Sequence, residues 1–133
     1  MLTGSCLCGE ISYQVTMESN VDAIIFCHCQ RCRKWSGTAF NSAIVIKASE
    51  FQFLSGQDTI KKFSINGVNR HFCGQCGSNL FTSRDNNKEF YRLRAGTIDT
   101  PVDPKQRIHI YADAKANWDT ICDGGTKFSE NIK

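Results

Sequence analysis

Seven of the eight cysteines in this 133-residue chain fall into three tight groups, and no other feature constrains the fold as strongly. Cys6 and Cys8 form C-x-C, Cys27, Cys29 and Cys32 form C-x-C-x-x-C, and Cys73 and Cys76 form C-x-x-C followed by Gly77; Cys122 stands apart. Two cysteines one residue apart in an extended segment project to the same face, too strained to bridge each other but placed to grip one ion. A C-x-x-C turn does the same from a knuckle. Soft thiolates in such pairs select zinc or, less often, iron in a cluster, and zinc is expected here.

Counting ligands divides the cysteines further. A structural zinc closes with four ligands, whereas a catalytic one keeps a position open. Joining Cys6 and Cys8 to Cys73 and Cys76 makes one closed site and clamps the beginning of the chain to its middle. Cys27, Cys29 and Cys32 are then left as three thiolates with room for water or a substrate sulfur, giving two zinc ions per chain. His28 could complete the second site, but if residues 27–29 are extended it points away from Cys27 and Cys29. His71 could replace a thiolate in the first site. His109 lies in the alternating run RIHIYA and reads as a packed strand residue, and Cys122 reads as an incidental thiol rather than an eighth ligand.

The rest of the chain reads as β structure. EISYQVT, AIIFC, SAIVIK, FQFLSG, TIKKFSI, RHFC, NLFTS, EFYRLRAG and RIHIYA alternate or are rich in β-branched and aromatic residues. Turn residues separate them at strand-length intervals, and Asn66-Gly67 is a strong hairpin signal. The helix candidate is QRCRKWSG after Cys29, ending at Gly37. The tail after Trp118 turns polar and is expected to fray. A mainly β fold of antiparallel sheets with little helix, in a single domain over residues 1–133, is the expectation.

Composition excludes several classes. With 41% hydrophobic and 22% charged residues the chain should fold, and a net charge of +3 from sixteen basic and thirteen acidic residues is too balanced to imply nucleic acid. No apolar run approaches the ~18 residues a membrane span needs. The opening MLTGSCLCGE shows neither a charged leader nor an apolar core, so a cytoplasmic protein is expected.

GSCLCGEISY from Gly4, CHCQRCRKWSG from Cys27 and FCGQCGS from Phe72, in this order, resemble the glutathione-dependent formaldehyde-activating enzymes, grouped with centromere protein V. HIYADAKANW, from His109 to Trp118, is similar to that family's late histidine-to-tryptophan segment. The resemblance implies a β-tent fold and two zinc ions. It implies structural zinc at Cys6, Cys8, Cys73 and Cys76, and a catalytic site at Cys27, Cys29 and Cys32.

The function expected from both lines is a carbon-sulfur lyase-type reaction on a thiol/aldehyde adduct, such as S-hydroxymethylglutathione from glutathione and formaldehyde. Three thiolates leave zinc a weak Lewis acid, which favours a sulfur ligand over hydroxide-driven hydrolysis. Arg31, Arg33 and Lys34 surround the last ligand of the open site and are candidates to receive glutathione's carboxylates, with Ser36, Gly37 and Phe40 on the same wall. Arg92 and Arg94 share one strand face and read as solvated cations. The competing readings are a zinc-stabilised binding module without turnover and a redox-sensing thiol protein.

Overall fold

The fold is known from a computed structural model, described here for residues 1–131; Ile132 and Lys133 lie outside the described residues. Two sheets account for most of it. β1 (Leu2–Ser5), β2 (Ser12–Val15) and β5 (Phe51–Ser55) make a three-stranded sheet in the order β1-β2-β5. β3 (Asn20–Cys27), β4 (Asn41–Lys47), β6 (Ile60–Ile65), β7 (Val68–Cys73), β8 (Asn79–Arg84), β9 (Asn87–Arg94), β10 (Asp103–Ile110) and β11 (Thr126–Lys127) make the second, in the order β11-β10-β3-β4-β9-β8-β7-β6. The mainly β fold expected from alternation is observed. Pairing is mostly antiparallel, except that β10 runs parallel to both β3 and β11.

Strand parity explains how the large sheet is used. Alternate side chains on a strand face opposite sides. On β4, Ile44 and Ile46 join Leu93 of β9, Leu80 and Phe81 of β8, and Tyr13 and Val15 of β2 in the main core. Phe51 of β5 stacks on Tyr13 and meets Phe81 and Tyr91 from the large sheet, so aromatic contacts join the two sheets. The other parity, Asn41 and Ala43 on β4 with Arg92 and Arg94 on β9, faces away from this core. That second face is where the site lies.

α1 (Gln30–Ser36) follows β3 directly. Cys29 caps its start by accepting the Cys32 N–H, and Gly37 ends it at φ 72, the left-handed conformation glycine adopts without strain. Trp35 anchors the helix against Phe63, Phe72 and the Arg70 guanidinium. The Asn66-Gly67 turn closes the β6–β7 hairpin with both residues at positive φ, as its sequence predicts.

The tail departs from expectation. Instead of fraying after Trp118, the chain returns to add β11 beside β10, and Asp123 accepts hydrogen bonds from Arg107 Nε, His109 Nε2 and the Gly125 N–H at 2.7, 2.8 and 2.8 Å. Hydrogen bonds converging on Asp123, with Phe128 packed against Ile25, Cys27 and Ile110, fasten this segment.

Candidate metal centres and the arginine-lined pocket

Two cysteine clusters come together as the spacing predicted. The sulfurs of Cys6, Cys8, Cys73 and Cys76 lie within 4.8 Å of one another, and so do those of Cys27, Cys29 and Cys32. A tetrahedron with Zn–S bonds of about 2.3 Å has edges of about 3.8 Å. The sulfur separations of 3.5 Å for Cys6–Cys8 and 3.8 Å for Cys8–Cys73 match that edge, so the cluster's dimensions are compatible with zinc.

The four-cysteine cluster joins the two sheets. Cys6 and Cys8 sit in the β1–β2 connection, in a turn closed by the Gly9 N–H on the Cys6 carbonyl rather than in an extended segment. Cys73 ends β7, and the knuckle after it closes through the Gly77 N–H on the Cys73 carbonyl at 2.8 Å. Backbone N–H groups of Gln75 and Cys76 point at Cys73 Sγ, and that of Ile11 at Cys6 Sγ. The Ser78 hydroxyl and nearby backbone N–H groups hold Cys76 down to about 5. His71 takes no part: it stacks on Phe81 at 4.2 Å and bonds Ser83 Oγ at 2.9 Å, and burial lowers its pKa to about 4.

The three-cysteine cluster lies where β3 hands over to α1. Hydrogen bonds from Cys27 and Cys32, together with the Cys32 and Arg31 backbone N–H groups, hold Cys29 down to about 2, while Cys29, Cys32 and burial push Cys27 up. No fourth His, Cys, Asp or Glu joins this cluster among the described residues.

His28 points away, as parity predicts. Asp123 can only accept, so His109 Nε2 donates to it and His109 Nδ1 accepts from His28 Nε2 at 2.8 Å. This leaves His28 Nδ1 as a buried acceptor without a partner. Burial and the neighbouring His109 hold His28 below the ordinary imidazole range. His109 is a packed strand residue as expected, stacked on Phe26. Cys122 is exposed and joins neither cluster.

A cavity of about 340 Å³ opens onto the three cysteines. Arg31 lines it, but Arg33, Lys34, Ser36, Gly37 and Phe40 do not. Arg33 braces the helix through the His28 and Ala114 carbonyls. Ser36 bonds back to the Cys32 carbonyl, Gly37 is the helix cap, Lys34 is exposed, and Phe40 packs on Phe26 and His28. The wall is built instead by Arg70, Arg84, Arg92 and Arg94 from β7, β8 and β9, with Asn41 and Tyr111. Arg92 and Arg94, expected in solvent, are half-buried and buried. Their shared face was legible; that this face is enclosed was not. Tyr111 holds φ at 52, a conformation rare for a bulky residue and found at functional sites.

The sequence model of the glutathione-dependent formaldehyde-activating enzymes matches residues 1–114. A Halomonas elongata protein provisionally named as such an enzyme is 26% identical over 125 residues, covering 89% of this chain and 79% of that protein. An uncharacterized lyase of Schizosaccharomyces pombe is 27% identical over 93 residues, covering 69% of this chain and 64% of the lyase. A Podospora anserina protein, named like the Halomonas one, is 27% identical over 92 residues, 68% of this chain and 43% of its own length. The crystal structure of a Rhodobacter sphaeroides protein shares the fold, with a TM-score of 0.64 at 21% identity over 77% of this chain and 92% of that one. With its matched residues running through all three cysteine groups, the chain belongs to the glutathione-dependent formaldehyde-activating enzyme family.

Proposed function

We propose that the protein is a zinc-dependent carbon-sulfur lyase-type enzyme, a single domain that forms or cleaves the adduct of a thiol such as glutathione with a small aldehyde such as formaldehyde. The observation that carries this reading is the convergence of Cys27, Cys29 and Cys32 on a 340 Å³ cavity, with three protein ligands among the described residues. Zinc held there would supply one thing, a lowering of the substrate thiol's pKa toward neutrality. Cys6, Cys8, Cys73 and Cys76 would hold a second, structural zinc. We place the enzyme in the cytoplasm, where cysteines stay reduced.

The chain's own residues enclose and orient. Ile25, Ala43 and Ile110 give the cavity an apolar side that limits water, and the helix carrying Cys32 is fixed by its caps and by Trp35. In the addition, the sulfur lone pair forms the C–S bond, the carbonyl π pair moves to oxygen, and the proton lost by the thiol ends on that oxygen. The product is an S-hydroxymethyl thioether, and cleavage reverses each transfer. The family assignment and the names of the relatives support glutathione and formaldehyde as substrates.

The test is zinc per chain on fresh protein and on Cys29→Ser, with exchange spectroscopy of S-hydroxymethylglutathione formation for each. Two zincs falling to one, with loss of rate acceleration, is expected. One zinc in both, with no acceleration over the spontaneous reaction, would overturn the assignment.

A further inference from the structure

The cavity holds more fixed positive charge than thiol activation requires. Cross-strand pairing sets Arg70 opposite Thr82, Thr82 opposite Arg92, and Ala43 opposite Arg94, and directly opposed residues share a face, so these side chains form one cationic wall. Arg94 is 9% exposed; its Nη2 donates to Thr82 Oγ1, while its buried Nε has no partner. The buried Asn41 Nδ2, opposite Cys27 in the β3–β4 ladder, is also without one. Among the described residues the carboxylates that meet cationic side chains do so at Lys105 and Arg107, and none pairs with Arg70, Arg84, Arg92 or Arg94.

A buried guanidinium with a spare donor and no counter-charge is costly, and an entering anion offsets that cost. Cys27, Cys29 and Cys32 line the same cavity, but a bound metal ion would draw on any charge they carry. Guanidinium groups present paired N–H donors whose planar geometry matches a carboxylate.

We propose that Arg94 and Arg92, supported by Arg70, form a carboxylate subsite that selects acidic thiols over neutral ones of the same shape. This deepens the reading above, on which it rests in taking the cavity to receive the thiol. It also moves acid recognition from the exposed helix cations to the sheet face. The ligand class it predicts includes short mercaptocarboxylic acids, smaller than glutathione.

The experiment is calorimetric titration of the full-length, zinc-loaded chain with 3-mercaptopropionate and with its methyl ester, which keeps the thiol and removes the charge. The acid is expected to bind about tenfold more tightly or better, the scale of a charge-assisted hydrogen bond. Arg94→Gln should abolish most of that preference while zinc content stays at the parent level. Should Arg94→Gln fail to fold, the half-buried Arg92→Gln serves as the second variant and should weaken the preference severalfold. Equal binding of acid and ester by the parent would overturn the subsite, and so would an undiminished preference in the folded variants. Preference for the acid without any formaldehyde turnover would support the subsite and sink only the catalytic reading.

Discussion

Gly4 and Tyr13 face each other across β1 and β2, and the tyrosine ring fills the space a side chain on Gly4 would need. A Cβ there would lie 2.2 Å from Tyr13 Cζ and Oη and 2.5 Å from the Thr97 carbonyl oxygen. Tyr13 is fully buried, with its hydroxyl on Thr97 Oγ1 at 2.8 Å, so it cannot swing aside without leaving a buried polar group. The first and last positions of the G-x-C-x-C-G-x-x-x-Y motif are thus one packing unit that sets the register delivering Cys6 and Cys8.

Gly4→Ala should therefore destabilise the protein by about 3 kcal/mol, the upper range for overpacking, because one contact is backbone and cannot yield. Urea titration of the zinc-loaded protein checks this, with a lower midpoint and unchanged slope as the expected result. A midpoint within error of the parent would mean that the strands separate more easily than this packing implies.

The four-cysteine cluster joins the β1–β2 connection to the end of β7, so it should behave as a staple between the two sheets. A structural zinc in such a site contributes roughly 10–16 kcal/mol of apparent binding free energy, as much as a domain's whole stability of about 5–15 kcal/mol. Cys73→Ser should give insoluble or unfolded protein, whereas Cys122→Ser, at an exposed thiol, should change stability by no more than about 0.5 kcal/mol. Soluble yield and thermal melts decide between them. A cooperative melt of Cys73→Ser near the parent's would break the pairing.

Much of this was legible in the chain. Nine strands follow from alternation, α1 from its Gly37 stop, and the partition of seven cysteines from ligand counting. Other features were not, for physical reasons. Leu2–Ser5 and Thr126–Lys127 are too short to show a period, and they are strands because a neighbour pairs with them. The arginine wall was half visible: Leu93 faces the core, so Arg92 and Arg94 must face the other way. Alternation says nothing of whether that other face meets water. Here α1 and its neighbours enclose it, and cations that read as solvated became the lining of the pocket.

Asp123 carries a further prediction, because three donors converge on it. Its carboxyl is held well below the usual range by Arg107, the Gly125 N–H and His109. A depressed carboxyl pKa contributes stability that is fully present above the unfolded value of about 3.9 and withdrawn as pH falls below it, so at neutral pH the clamp is closed. Asp123→Asn turns one acceptor oxygen into a donor facing donors. Hydrogen exchange at Thr126 and Lys127 should accelerate markedly, with little change in the β4–β9 ladder. Unchanged protection of β11 would show that its pairing with β10 suffices alone.

The two clusters should release zinc in separate phases. Cys29 and Cys32 are only partly buried and open onto the cavity, and their cluster has three protein ligands among the described residues, so a competing chelator can take the open position. Cys6 and Cys73 are buried and Cys8 is exposed, but four thiolates close the coordination sphere, so a chelator has no open position to enter and must displace a cysteine. A colorimetric chelator should draw out one zinc equivalent rapidly with the near-ultraviolet dichroism intact, then the second slowly as that signal collapses. Cys29→Ser should show the slow phase alone. Release in one phase, or loss of the dichroic signal with the first equivalent, would mean that the three-cysteine site also holds the fold together, and the division into an open and a closed site would fail.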